Sequence, residues 1–274
     1  MGKQHNKPIR PFLKWAGNKF RVLHQIQRLL PEGKRLVEPF AGSGAVFLNT
    51  DFEDYLLCDS NRDLIDLYRL LKRRGQKFID ECQLYFQPKY NDESQYYRLR
   101  ERFNLIDDRE ERAALFLYLN RHGYNGLCRY NASGGFNVPF GRYRRPYFPE
   151  QEMRLFRDKA RRASFRHQIF EKTFQGVDNG DVIYCDPPYV PLSASSNFTS
   201  YSAGGFSLEQ QKALVDKARE TAARGIPVLI SNHATDFTSA HYHEAHLETF
   251  FVQRYISRNG QKRDKAGEIL ALFA

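Results

Sequence analysis

Apolar residues fall in short blocks near both ends of the chain and at helical spacing through its middle. LVEPF (36–40) is a brief apolar run leading into the glycine-rich AGSGAVFLNT, a pattern that predicts strand, tight loop and helix. YLLCD (55–59) predicts a second strand, and DLIDLYRLLKRR (63–74) spaces its apolar residues as a helix does. From 76 to 122 the strand pattern is gone, replaced by long charged helical segments such as REERAALFLYLNRHG. GLCRY (126–130) and FNVPF (136–140) flank the turn-rich NASGG and predict a β-hairpin, with Pro139 consigning its arm to an edge. A helix-like EMRLFRDKARRA (152–163) follows. Strand patterns then return as DVIYCD (181–186), IPVLIS (226–231), ETFFVQRYIS (248–257) and EILALF (268–273). Between the first two of these, Ser207 with Gln210 three residues on predicts a capped helix.

The simplest organisation is an α/β domain in two sequence pieces, 1–61 and 152–274, with a mostly helical module inserted at 62–151. At 274 residues the chain can bury a sizeable core, and 41% hydrophobic with 27% charged residues excludes a disordered polymer. No apolar run reaches the length of a signal peptide or a membrane span. The expectation is a cytoplasmic protein.

Charge sharpens the picture. Lys plus Arg number 42 against 32 Asp plus Glu, a formal +10, which favours a polyanionic partner, nucleic acid first. The excess is concentrated: from Ala113 to Pro149 there is no acid, while Arg121, Arg129, Arg142, Arg144 and Arg145 are interleaved with tyrosines. A second basic run holds Arg254, Arg258, Lys262, Arg263 and Lys265. The four cysteines form no CxxC pair and have no histidine at zinc spacing, so they read as reduced thiols, with no metal expected.

Two constellations carry chemistry. FAGSG (Phe40, Ala41, Gly42, Ser43, Gly44) follows a strand and opens a helix, where glycines let backbone approach a ligand. It lacks the full phosphate-binding and dinucleotide patterns, but Asp59 ends the next strand 17 residues past Gly42, near the spacing at which an acid takes a ribose. The same residues also fit a plain turn with Asp59 capping the following helix. In the second, Asp186, Pro187, Pro188 and Tyr189 put a carboxylate, donor-free backbone and a flat aromatic face at the carboxyl edge of the sheet. Two acceptors and a stacking ring suit a planar heterocycle with an exocyclic amino group.

FAGSG, Asp59 and DPPY, in that order around a long insertion, resemble the amino-group DNA methyltransferases. With FLKWAGNK (12–19), NRHGYNGLCRYNASGGFNVPFGRY (120–143) and CDPPYVPLSASSNFTSY (185–201), nearly the whole chain resembles the Dam-type DNA adenine-N6 methyltransferases. The resemblance implies a Rossmann-like methyltransferase sheet with an inserted, mostly helical target-recognition domain carrying a β-hairpin, S-adenosyl-L-methionine as cofactor, and a monomer acting on double-stranded DNA in the nucleoid.

By the same resemblance, Phe40 to Gly44 lie along the cofactor's methionine end, Asp59 holds its ribose, Trp15 and Lys19 line its site, and Phe170 sits near its adenine. Asp186 and the Pro187 carbonyl accept from the N6 amine of a flipped-out adenine that Tyr189 stacks upon. Lys14 and Arg129 read guanines, Leu127 and Pro139 meet a thymine methyl, Tyr124 and Asn125 wedge into the base stack, and Arg142 takes a phosphate, which together specify GATC. Asn18 stands where the family usually has a second glycine; if the backbone there has positive φ, Asn tolerates it best among non-glycines, and cofactor binding should survive with some loss. Methylation of cytosine N4 or of an RNA base, and a DNA-binding relative without catalysis, remain the competing readings. The roles such an enzyme serves are strand marking for mismatch repair at replication, gene regulation, restriction and a phage's defence of its own DNA.

Overall fold

The computed structural model describes residues 7–191, 206–253 and 265–274. The second half of the CDPPY segment, the first six residues and most of the second basic run therefore lie outside the described residues. Strands are β1 (Arg35–Glu38), β2 (Asp54–Asp59), β3 (Ala163–His167), β4 (Asp181–Cys185), β5 (Val228–His233), β6 (His246–Gln253) and β7 (Lys265–Phe273). Helices are α1 (Leu23–Leu29), α2 (Ala45–Asn49), α3 (Arg62–Arg74), α4 (Gln76–Gln83), α5 (Glu93–Leu105), α6 (Arg109–His122), α7 (Glu150–Lys159), α8 (Phe170–Phe174), α9 (Leu208–Ala222) and α10 (Asp236–His241). The mixed α/β class read from the hydrophobic pattern is borne out.

Contacts divide the chain into two compact units, the first Met1–His24, Ala41–Asp51 and Tyr55–His167, the second Gln25–Phe40, Phe52–Asp54 and Gln168–Ala274. In the second unit, β4 is buried along its whole length and lies between β1 and β5, both parallel to it, with Leu36 opposite Val182 and Ile183 opposite Val228. A strand covered on both faces must be apolar throughout, which is why VIYC carries no alternation. β7 then runs antiparallel to both β5 and β6. Ser207 and Gln210 form the expected capping box at the start of α9.

In the first unit β2 pairs in parallel with β3, a strand the hydrophobic pattern does not reveal. Its five residues ASFRH bury only Ala163 and Phe165, and its exposed positions look like loop. Two of its carbonyls are capped by side chains of α3: Arg69 reaches the Phe165 oxygen at 2.9 Å and Lys72 the Ala163 oxygen at 2.8 Å. Such capping leaves the strand a poorer template for edge pairing.

The segment 76–122 is helical as expected, with two short 3-10 turns between α4 and α5 and a loop between α5 and α6. Three helix starts in this region carry side-chain caps: Asn61 caps α3 through Leu64 N, Asp92 caps α5, and Asp108 caps α6. The expected hairpin at 126–140 is present only as two extended arms joined by isolated bridges, Tyr130 to Phe136 and Gly123 to Phe140. Pro139 has no N–H to donate, and a 3-10 turn at Tyr124–Gly126 interrupts the pairing, so no ladder propagates.

Candidate active site and DNA-recognition surface

In the first unit the FAGSG loop is held by its neighbours. The Gly42 amide donates to Asp59 Oδ2 at 3.0 Å, its carbonyl accepts from Tyr68 OH at 2.6 Å, and a Cβ there would lie 2.9 Å from Trp15 Nε1. With φ at +46° as well, only glycine fits. Asp59 takes a second backbone amide, Asn61 N to Oδ1 at 2.9 Å, while Asn61 itself caps α3. Asp59 is therefore no helix cap; it is a carboxylate fixed at the end of β2. Burial pushes its pKa up, against the opposing pull of the Asn61 and Gly42 amides. Lys19 is buried, with its ammonium hydrogen-bonded to the Gly17 carbonyl. The left-handed backbone falls on Gly17 (φ 73°), whereas Asn18 has φ −50° and accepts from Phe20 N at 2.7 Å. The strain expected from a non-glycine at position 18 does not arise.

The recognition candidates share the first unit. Lys14 is pinned at its backbone by the buried Asn120, which accepts from Lys14 N at 3.0 Å and donates to Lys14 O at 2.7 Å. Its ammonium lies 3.7 Å from the centre of the Tyr143 ring, and Gly126 closes over its stem. Burial, and then the nearby Arg121, lower its pKa to about 8. The Tyr143 hydroxyl meanwhile accepts from Asn125 N at 2.9 Å, tying Lys14 to the exposed Tyr124–Asn125 tip. Across the two arms Arg129 Nε donates to Asn137 Oδ1 at 2.8 Å, and Asn137 N donates back to Arg129 O at 3.0 Å. Beyond this pair the register shifts, and the Pro139 carbonyl accepts from Tyr124 N at 2.8 Å. Among the described residues two non-glycines have positive φ, Asn125 (52°) and Arg142 (51°), and both are recognition candidates. Backbone strain of this kind collects at working sites. Arg142 is exposed and pairs loosely with Glu93 at 3.3 Å, so a phosphate could take Glu93's place.

In the second unit β4 ends at Cys185 and the chain turns at Asp186, half-buried at the carboxyl edge. Ser231 Oγ lies 3.2 Å from Asp186 Oδ1. The Tyr189 ring meets His233 edge to face at 4.7 Å, and its hydroxyl donates to Glu268 at 3.3 Å. Burial foremost, and then the charge of Asp186, keep the Tyr189 phenol far from ionising. The Pro188 carbonyl accepts from Gln211 at 2.7 Å, whereas the Pro187 carbonyl accepts no hydrogen bond among the described residues. Phe170, buried at the start of α8, stacks with Phe40 at 5.6 Å and 27°.

Comparison with known proteins gives the chain a family. Residues 15–256 match the D12 class of N6 adenine-specific DNA methyltransferases. The chain belongs to that family. It is 54% identical over 268 residues to the DNA adenine methylase of Vibrio cholerae serotype O1, covering 97% of each chain. It is 51% identical over 267 residues to that of Escherichia coli K12, covering 97% of this chain and 96% of the relative. With that of Serratia marcescens it shares 48% identity over 268 residues, covering 97% and 99%. The enzyme is thus a site-specific DNA adenine methyltransferase. Among its described residues there is no group of three potential metal ligands and no helix long and apolar enough to cross a membrane.

Five side chains given no role from sequence brace the candidates: Asn120 and Tyr143, the two ends of the 120–143 segment, around Lys14, and Gln211, Ser231 and Asn232 around DPPY. The signal of Ser231 and Asn232 in sequence was a polar pair in an otherwise apolar strand, VLISNH.

Proposed function

We propose that the enzyme uses S-adenosylmethionine to methylate adenine N6 in double-stranded GATC, after turning the adenine out of the duplex. The observation that carries this reading is the Asp186–Tyr189 corner. It combines a carboxylate, the carbonyl of Pro187 and a braced aromatic ring, which is what an adenine edge and face require. Bound S-adenosylmethionine supplies a methyl group carried on a positively charged sulfonium. The residues fit such a cofactor: Asp59 offers fixed carboxylate oxygens to ribose hydroxyls, the FAGSG backbone and Lys19 suit the methionine end beside Trp15, and the Phe40–Phe170 pair suits an adenine ring.

Asp186 and the Pro187 carbonyl accept the two N6 hydrogens, which turns the nitrogen lone pair out of conjugation with the ring and leaves it free to attack. Tyr189 holds the base by its face. No strong base is needed, because the methylated nitrogen is acidic and loses its proton readily; what the residues provide is position and field. Extrusion costs a few kcal/mol of unstacking, which Tyr124 and Asn125 offset by entering the gap.

The domain 62–151, with Lys14 from the N-terminal segment, serves recognition. Lys14 takes the first guanine, Arg129 a guanine by its fork, Leu127 and Pro139 a thymine methyl, and Arg142 a phosphate. The strained backbone at Asn125 and Arg142 supports that assignment. The enzyme acts as a monomer on nucleoid DNA in the cytoplasm.

Incubation with labelled S-adenosylmethionine and two duplexes, one with a single GATC and one with the site scrambled, tests all of this at once. Label at adenine N6 in the first duplex alone is expected. Label in both discards the recognition assignment and keeps the chemistry, while label in neither overturns the reading.

A further inference from the structure

Three of the buried polar side chains in the second unit converge on one short segment. Ser231, Asn232 and Gln211 are each no more than 2% exposed, and a polar group so buried is costly unless its partners are fixed. Ser231 and Asn232 are neighbours on β5, so their side chains leave opposite faces of the strand. On one face Ser231 Oγ lies 3.2 Å from Asp186 Oδ1 and 3.0 Å from Tyr184 OH. The Cys185 carbonyl also faces it, at 3.3 Å. A hydroxyl has one proton. Given to the carboxylate in preference to that neutral carbonyl it makes the stronger, charge-assisted bond, and Tyr184 then donates to Ser231. On the other face Asn232 Oδ1 accepts from Val190 N at 2.9 Å, and its amide donates to Gln211 Oε1 at 3.1 Å and to Tyr242 OH at 3.0 Å. Gln211 Nε2 closes the loop on the Pro188 carbonyl at 2.7 Å. His233 Nδ1, next along β5, donates to Val190 O at 2.7 Å.

We propose that Ser231, Asn232 and Gln211 are positioning residues for methyl transfer, gripping the DPPY segment from both faces of β5. Ser231 fixes Asp186 Oδ1, and with it the plane of the carboxylate and the direction in which Oδ2 meets the amine. Gln211 and Asn232 fix the peptides on either side of Tyr189. The Pro188 carbonyl is committed to Gln211, which leaves the Pro187 carbonyl as the acceptor assigned to the base. The inference rests on Asp186 being an acceptor of the N6 amine.

The experiment compares Ser231→Ala, Ser231→Thr, Gln211→Met and Asp186→Ala with the parent enzyme. It measures the single-turnover rate, duplex and cofactor affinity, and the fluorescence of 2-aminopurine at the target adenine. Ser231→Ala and Gln211→Met are expected to slow single turnover by roughly tenfold to a hundredfold, the scale of a misplaced reacting group. Affinities and base extrusion are expected to stay within about twofold, since no substrate contact is removed. Ser231→Thr, which keeps the hydroxyl, is expected to recover most of the rate. A parent-like rate in Ser231→Ala and Gln211→Met, or a Ser231→Thr as slow as Ser231→Ala, overturns the proposal. So does a loss of rate matched by an equal loss of folded, cofactor-binding protein. Full turnover in Asp186→Ala would instead overturn the underlying assignment of Asp186, so the two failures are distinguishable.

Discussion

Gly126 is where a single methyl group should cost the enzyme a base pair of specificity. Its φ of +62° is disfavoured for alanine by about 1–2 kcal/mol. An added Cβ would also lie 2.1 Å from Lys14 Cβ, 2.7 Å from its Cδ and 3.0 Å from its Cγ. Lys14 cannot retreat as a unit, because Asn120 holds its backbone N–H and carbonyl together. Rotating the Lys14 side chain relieves only the Cγ and Cδ contacts, because its Cβ stays where the backbone holds it, so the Tyr124–Gly126 turn must open as well. The rotation lifts the ammonium off the Tyr143 ring, and the opening moves Asn125, which that ring's hydroxyl anchors. If Lys14 reads the first guanine, Gly126→Ala should lose most of that contact's discrimination, about 1–3 kcal/mol. This amounts to roughly 5- to 150-fold in the ratio of kcat/KM between GATC and a duplex changed at its first base pair. Strain and overpacking together should lower folding stability by about 2–5 kcal/mol, visible in the denaturant midpoint. Lys14→Ala is the reference. If Gly126→Ala keeps first-base discrimination while Lys14→Ala loses it, Gly126 does not seat Lys14; if neither loses it, Lys14 does not read the base.

Three further outcomes follow from the same geometry. Arg129→Ala should relax specificity at one base pair by roughly 5- to 150-fold while leaving cofactor affinity unchanged; a loss confined to salt-sensitive nonspecific binding would make Arg129 a phosphate contact. Tyr189→Ala should abolish methylation yet bind duplex, as read by filter binding and label transfer, and unchanged turnover would remove Tyr189 from the pocket. Affinity for a GATC duplex should weaken as pH rises past about 8, where Lys14 loses its proton under burial and the charge of Arg121, with His122 held neutral beside them. Unfolding does not account for such a loss. The unfolded lysine keeps its proton to 10.5, so between 8 and 10.5 the Lys14 contribution to folding stability rises with pH. Lys14→Arg should flatten the profile, and an affinity constant from pH 7 to 9 in the parent would refute the assignment.

What the sequence made legible was whatever periodicity and local chemistry encode. β4 was plain because a strand buried on both faces has no polar positions, and the DPPY corner was plain because two prolines after a strand leave few conformations. β3 was hidden because only Ala163 and Phe165 are buried, and because side chains from α3, nearly a hundred residues earlier, cap its carbonyls. The hairpin was half right: its arms face one another at Tyr130 and Phe136, but the 3-10 turn before Leu127 and the missing N–H of Pro139 stop a ladder.

The site itself divides along the same line. Residues placed to touch substrate were visible, because their types name their chemistry: an acid, an aromatic, an arginine. Residues that aim them were not, since Asn120, Ser231 or Gln211 in a helix or strand reads as an ordinary polar interruption until the fold shows what lies opposite. Asn120 meets Lys14 across 106 positions of chain, Asn232 meets Val190 across 42, and Gln211 meets Pro188 across 23. Such separations erase any local pattern. They also explain why one buried amide can hold Lys14 or the DPPY turn in place: it joins segments that no secondary structure connects.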